Sequence, residues 1–222
     1  GRTGDGVRGG GAGTGDGGVR LDSPGPEPAV TSSSGPRYDH VITDVSALEV
    51  TGGPVARYDR NMAAIRVLKT LEAEKRMATP GEQKILALYA GWGDTQFKET
   101  LFGTRTYGIE AAWLRRRQEL LDALTQAEYE AARRSSLNAH YTTPQIVTWM
   151  YDVLDRMGIN SLNRLRVLDP STGAGVFFGM MPPHLAARAE RIGVDLDSLS
   201  ARITQQLYQN AQIINNGYER AS

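Results

Sequence analysis

Within VLDPSTGAGVFF, residues 167–178, an apolar run leads to Asp169 and Pro170 and then to a loop holding Gly173 and Gly175. An acid at the carboxyl end of a strand, followed by a glycine turn, is where open α/β sheets bind ligands. Gly173 permits a tight turn, and Gly175 lets a ligand approach backbone with no Cβ in the way. Phosphate ligands fit poorly. A phosphate-cradling loop ends in Gly-Lys-Ser/Thr, whereas this one runs into Val176-Phe177-Phe178, and a dinucleotide fingerprint needs Gly where Phe178 stands. Asp169, ahead of the glycines, repels a pyrophosphate and accepts a hydrogen bond from a cationic amino group. The ligand that these features fit has an amino-acid end, a ribose and a base but no phosphate, which is the make-up of S-adenosylmethionine.

The next apolar run, RIGVD at 191–195, ends on Asp195, where a carboxylate accepts from both hydroxyls of a ribose. Asp195 and Asp197 equally suit the cap of a following helix. Asn215-Asn216-Gly217-Tyr218-Glu219 follows a third run and suits contact with an adenine edge. Upstream, Asn138-Ala139-His140-Tyr141-Thr142-Thr143-Pro144 precedes a helix. The free N–H groups of a helix start make a carboxylate site. Thr143 also serves as a plain N-cap there, and Tyr141 as a core aromatic.

These residues need elements to hold them. RVLD (166–169), RIGVD (191–195) and AQIIN (211–215) read as strands, with helical stretches near 184–190 and 198–208 between them. Strand, helix, strand, helix, strand is the pattern of a parallel sheet. Before it, RYDHVITDV predicts a short strand from residue 37. Met62, Ile65, Leu68 and Leu71 predict a helix. Thr79-Pro80-Gly81-Glu82 and Thr125-Gln126-Ala127-Glu128 are capping boxes that open further helices. Another helix covers roughly 109–123, and one from Thr143-Pro144 ends at Gly158. Residues 1–36 hold 12 of the 25 Gly and four of the 10 Pro, a composition that cannot bury enough apolar surface to offset its chain entropy.

The expected organisation is therefore a linker over 1–36, a helical region over 37–136, and the first part of a ligand-binding α/β domain over 137–222. The 222 residues include no Cys, which excludes disulfides, thiolate metal sites and Cys nucleophiles. His40, His140 and His184 are too scattered to make a metal site. Lysine plus arginine and aspartate plus glutamate both number 25, so no global field draws the chain to nucleic acid or membrane. No apolar run approaches the roughly 18 residues of a membrane span, and the expectation is a cytoplasmic protein without membrane contact.

In order, these pieces resemble the N6-adenine DNA methyltransferases. Their cofactor domain opens with a Tyr-Thr-Pro segment, here His140-Tyr141-Thr142-Thr143-Pro144, continues with Asp-Pro-x-x-Gly-x-Gly-x-Phe, here Asp169 to Phe177, and presents an acid after the second strand, here Asp195. The resemblance is closer to large phage- and plasmid-borne polypeptides that fuse such a domain to a helicase, through NMAAIRVLKTLEAEKRMATPGEQKILALYAGWG and the Leu-Asn-Ala-His-Tyr-Thr string. It covers roughly residues 40–222, and Asp94 departs from it where the family has a further Gly. It implies a partial Rossmann-like, S-adenosylmethionine-dependent methyltransferase sheet behind a helical region. Tyr141, Thr142, Thr143, Asp169, Pro170, Ser171, Gly173, Gly175, Phe177 and Asp195 are then expected to hold the cofactor. DNA and a covalently linked helicase domain are the implied partners.

Methyl transfer in this family uses an Asn/Asp/Ser-Pro-Pro-aromatic motif after the fourth strand. The chain's one Pro-Pro pair lies in Met181-Pro182-Pro183-His184, with other neighbours and at another place. The expectation is thus the cofactor-binding portion of a longer DNA adenine methyltransferase, inactive alone. The alternative is a non-catalytic DNA-associated or interaction module that keeps the fold. A methyltransferase acting on RNA or protein shares the same loop. Arg115-Arg116-Arg117 and Arg133-Arg134 are the basic clusters to weigh for a DNA backbone, against a reading as solvated helix faces. Trp92 and Trp113 read as packing residues.

Overall fold

Apolar residues spaced three and four apart from Tyr58 to Leu71 build the first helix, α1 (Gly53–Glu74), with Tyr58, Met62, Ile65, Leu68 and Leu71 buried along one face. Pro54 is accommodated in its first turn, where N–H groups have no intrahelical partner. The computed structural model describes residues 35–48, 52–138 and 142–220. The expected linker therefore lies outside the described residues apart from Gly35 and Pro36, and so do His140 and Tyr141.

Thr79 and Glu82 form a reciprocal capping box that starts α2 (Pro80–Leu86). Asp94 caps α3 (Thr95–Thr100) with a side-chain bond to the Gln96 N–H. Next comes α4 (Ala111–Ala123), and then α5 (Gln126–Asn138), opened by Thr125 and Glu128 bonding each other's backbone N–H groups. Pro144 stands in the first turn of α6 (Pro144–Arg156), and Gly158 follows it in a left-handed conformation. The sheet is β1 (Leu165–Asp169), β2 (Ala189–Asp195) and β3 (Gln212–Asn215). The crossover from β1 to β2 carries two short turns, α7 (Val176–Gly179) and α8 (Pro183–Ala186), and that from β2 to β3 carries α9 (Ser198–Leu207).

The sheet is parallel, in the order β1-β2-β3. Asp169 lies beside Gly193, and Asp195 beside Asn215, so the chemistry-bearing residues gather at one end. The fold is mixed α/β with a small three-stranded parallel sheet. The described residues fall in one compact unit, and one hydrophobic cluster runs from Tyr58 and Leu68 through Trp92 and Phe97 to Leu165, Leu199 and Leu207.

Buried polar groups join the helical region to the sheet. Glu128 accepts from Lys69 of α1 and Arg202 of α9. The Gln83 side-chain amide donates to the carbonyls of Gln206 (2.9 Å) and Tyr38 (3.0 Å), while Gln206 Oε1 accepts from the Ala78 N–H at 2.8 Å. Asn61, fully buried, clamps the loop after α2 by donating to the Gly91 carbonyl (2.7 Å) and accepting from the Ala90 N–H (2.8 Å).

Two elements depart from expectation. RYDHVITDV forms no strand; it is an extended strap with a single antiparallel bridge, Asp39 to Tyr208, and a 3-10 turn from Val45. Scattered backbone bonds stand in for a ladder, from the His40 N–H to the Leu207 carbonyl (2.8 Å) and from the Ile42 N–H to the Gly179 carbonyl (2.9 Å), and side chains add to them. Gln209 Oε1 accepts from the Tyr38 N–H, and the Asp39 carboxylate takes Arg191 together with the Asn210 N–H. The stretch 184–190 holds only the four residues of α8 before β2 begins at Ala189. Pro182 and Pro183 withhold two N–H donors and so break the crossover into separate turns.

The two faces of the sheet differ. α9 covers one, burying Leu199, Ile203 and Leu207. On the other, alternation and register align Leu168 with Ile192, and Val194 with Ile214. Leu168 is exposed there, and Ile192 and Ile214 are half-buried. The outer edge of β1 pairs with no strand among the described residues.

Candidate functional site

A cleft of about 980 Å³ opens at the carboxyl end of the sheet. Pro170, Ser171, Thr172, Gly173 and Phe177 line it from the loop after β1, Asp195 and Asp197 from the end of β2, and Asn216, Gly217, Tyr218 and Glu219 from beyond β3. Thr142, Thr143 and Pro144 line it from the start of α6. Of the residues singled out in the sequence, Thr142, Thr143, Pro170, Ser171, Gly173, Phe177 and Asp195 thus meet in one cavity. Asp169 and Gly175 do not line it, and Tyr141 lies outside the described residues.

Gly173 sits in the left-handed region at φ 54° and donates its N–H to Asp195 Oδ2 at 2.6 Å. Its carbonyl accepts from the Thr204 hydroxyl of α9 at 2.5 Å. Thr172 fastens the loop to β2, donating its N–H to the Val194 carbonyl at 3.0 Å. The bare backbone of Gly193 makes room for this: a Cβ there would stand 2.6 Å from the Thr172 hydroxyl. Gly175, at φ 71°, serves packing rather than ligand approach, because a Cβ would collide with the buried ring of Tyr208. Its demand for glycine is met inside the protein.

Asp195 is the carboxylate presented to the cleft. Its two oxygens accept from the N–H groups of Gly173 (2.6 Å) and Asp197 (2.8 Å), and each keeps a lone pair for a ligand hydroxyl. Burial pushes its pKa up to about 6, helped by the neighbouring charges of Asp197 and Asp169 and opposed by the two N–H bonds. Asp169 is packed beneath the loop at 8% exposure. Its Oδ1 accepts from the Ser171 N–H at 3.2 Å, while Oδ2 is buried without a hydrogen-bond partner among the described residues. Burial raises its pKa as well. Asp197 does cap α9, accepting from the Leu199 N–H and the Ser200 hydroxyl. Asn215 holds the second strand end by donating to the Asp195 carbonyl at 2.9 Å.

Thr143 occupies the N-cap position of α6 in an extended conformation but makes no side-chain capping bond. Pro144 brings no N–H to that first turn, and the Ile146 and Val147 N–H groups bond the Thr143 carbonyl at 3.0 and 3.2 Å. Phe177 is positioned through its carbonyl, which accepts from the Tyr151 hydroxyl at 2.7 Å.

The helical region also reaches the cleft. Arg57 and Arg60 of α1, Tyr89 and Ala90 after α2, and Arg134 of α5 line it. Arg134 belongs to a basic cluster weighed in the sequence for a DNA backbone, whereas Arg57 and Arg60 escaped that reading, since an arginine on an amphipathic helix carries no sign of which cavity it borders. Among the described residues no group of three or more His, Asp or Glu could hold a metal ion, and no helix is long and apolar enough to cross a membrane. No protein-family model matches the chain, and neither a curated protein nor a solved structure matches it.

Proposed function

We propose that this chain binds S-adenosylmethionine in the cleft and supplies the cofactor site of a DNA adenine N6-methyltransferase. The observation carrying this reading is the meeting, in one cleft at the carboxyl ends of parallel strands, of the glycine loop, Asp195 and the Thr142–Pro144 start of α6. The order β1-β2-β3 is that of one half of a doubly wound sheet, which supports a Rossmann-like fold. Asp195 would hold the ribose hydroxyls, the Gly173 loop and the α6 start the amino-acid end, and Asn216 to Glu219 the adenine. Asp169 does not line the cleft; its buried carboxylate braces the loop through the Ser171 N–H. When bound, the cofactor supplies an electrophilic methyl group. A Pro-Pro-aromatic motif to receive the target amine would have to join the site from other polypeptide. Pro182 and Pro183 do not line this cleft, which is the observation favouring the alternative of a non-catalytic module.

Calorimetric titration of S-adenosylmethionine into the chain, beside an Asp195→Ala variant, tests the reading. Binding in the micromolar range, weakened at least tenfold in the variant (about 1.4 kcal/mol), is expected. A folded chain that takes up no cofactor would defeat it.

A further inference from the structure

The end of α9 is clamped by side chains of a kind that proteins seldom bury. Gln83, Gln206 and Gln209 are all buried there, and Tyr208 stands among them at 0% exposure. Carbonyls at a helix end have no partner within the helix. Here the Gln83 amide takes those of Gln206 (2.9 Å) and Leu207 (3.1 Å). Gln209 donates to the Ala78 carbonyl at 2.7 Å and accepts from the Tyr38 N–H at 2.9 Å. The His40 N–H also bonds the Leu207 carbonyl, and Asp39 bridges Tyr208. Helical region and strap thus fix the chain on both sides of Tyr208. The side chain held in this way lies beneath the glycine loop. Thr204 and Tyr208 are four residues apart and share a side of the helix. Thr204 donates its hydroxyl to the Gly173 carbonyl. The Tyr208 ring fills the space under Gly175, where a Cβ would stand 2.3 Å from its Cε2. A Cβ on Gly179 would stand 2.5 Å both from the Tyr208 hydroxyl and from Cδ1 of Ile42 in the strap. The Phe178 ring meets that of Tyr208 edge-on at 5.6 Å.

We propose that Tyr208 is the positioning residue of the glycine loop: its ring is the floor that keeps the Gly173 N–H on Asp195, and the strap keeps the ring in place. The inference rests on the reading above, in which that loop and Asp195 hold S-adenosylmethionine. Tyr208 borders the cleft but offers it no accessible surface, so it acts through the loop and not on a ligand. Gly173 and Gly175 both take positive φ, 54° and 71°. Glycine adopts many other conformations as readily, so the loop's shape has to be imposed from outside. Thr204 supplies one bond to it, and Tyr208 supplies its support. Asp195 depends on the result, because Gly173 is one of its two N–H donors. A loop that sinks into an emptied floor turns that donor away and frees the carboxylate. The strap closes the far side of the ring, its Ile42 N–H bonding the Gly179 carbonyl at 2.9 Å. A segment far upstream of the glycine loop thereby sets the geometry of the site.

The test is amide hydrogen exchange, followed by NMR on the full chain without ligand. It reads the protection of the Gly173 N–H relative to that of Leu68, in the middle of α1. Tyr208→Leu keeps an apolar side chain but empties the place of the ring, and should lower that ratio by about tenfold or more. Tyr208→Phe keeps the ring and should leave the ratio within about twofold. Ile42→Ala, at a half-buried position of the strap, should lower it roughly threefold and decides the matter where Tyr208→Leu fails to fold. A ring that merely stabilises the fold would lower both amides together. An unchanged ratio in the folded variants therefore overturns the proposal. Calorimetric titration of S-adenosylmethionine into the same proteins reads the consequence. Affinity should fall about tenfold or more in Tyr208→Leu, or measurably in Ile42→Ala, and hold in Tyr208→Phe. Affinity that survives a loosened loop overturns the proposal as well, the loop then being no part of what the cofactor needs. If the parent takes up no S-adenosylmethionine while the exchange contrast holds, the cofactor reading fails and the positioning of the loop by Tyr208 stands.

Discussion

Asp195 and Asp169 end adjacent strands, yet their surroundings give them different work. Asp195 meets the cleft and is steadied by two N–H donors; Asp169 is sealed beneath the loop with one oxygen unpartnered. The folded-state pKa of Asp195, about 6, lies above its ordinary 3.8, so the folded chain takes up a proton there more readily than the unfolded one. Its stabilising contribution is therefore complete below about pH 4 and lost as pH rises through 6. Asp195→Asn removes that dependence. In paired urea titrations the stability difference should move in the variant's favour as pH rises from 4 to 6 and stay level above. Ligand binding runs the other way. Only the ionised carboxylate accepts from two ribose hydroxyls, so cofactor affinity should fall roughly tenfold per unit below about pH 6, while the Asp195→Asn variant stays flat. A parent affinity that is flat from pH 5 to 7 would remove Asp195 from the ligand contact.

At the scale of elements, Glu128 is the joint between the helical region and the sheet. It completes the capping box of α5 by accepting from the Thr125 N–H at 2.8 Å, and it pairs with Lys69 and Arg202. Burial opposes its ionisation, but the bonds from Lys69, Thr125 and Arg202 prevail and bring its pKa to about 2, below the ordinary 4.5. That stabilisation is present above 4.5 and disappears as pH falls through about 2. Glu128→Gln should cost about 2–3 kcal/mol at neutral pH, seen as a midpoint lower by roughly 4–10 °C, with the cost shrinking toward pH 2. A cost independent of pH would mean the amide fails by shape rather than by charge. The box itself was legible in Thr125-Gln126-Ala127-Glu128, because capping is a local pattern; so were the Thr79 box, the helix along Met62, Ile65, Leu68 and Leu71, and the three strands. Illegible were the partners at long range. Nothing near Glu128 in the chain announces Arg202, 74 residues on, and nothing near Gly175 announces the Tyr208 ring that makes its hydrogen necessary. The strap at Asp39 was misread for the same reason, its bonding being completed by the side chains of Gln209 and Arg191.

Among the described residues the two faces of the sheet differ in cover, although Val194 at the centre of the less covered one is buried. α9 shields a single face of the sheet, whereas parallel sheets are as a rule covered on both. Leu168 stands at 48% exposure on the less covered face. Around α6 the apolar surface is wider than its seat: Val147 and Tyr151 are buried, while Ile146, Trp149, Met150 and Met157 face outward along an adjoining stripe. Tryptophan fluorescence reads this asymmetry directly, because the three tryptophans divide cleanly: Trp92 is 0% and Trp113 5% exposed, against 64% for Trp149. Iodide should quench the Trp149 share of the emission and leave the rest. Trp149→Phe should abolish the quenchable component and shift the remaining emission to the blue. Its thermal midpoint should stay within about 2 °C of the parent, since surface substitutions act within roughly 0.5 kcal/mol. Emission that resists iodide in the parent, with a midpoint lowered by Trp149→Phe, would mean instead that this stripe is covered in solution and contributes to the stability of whatever covers it.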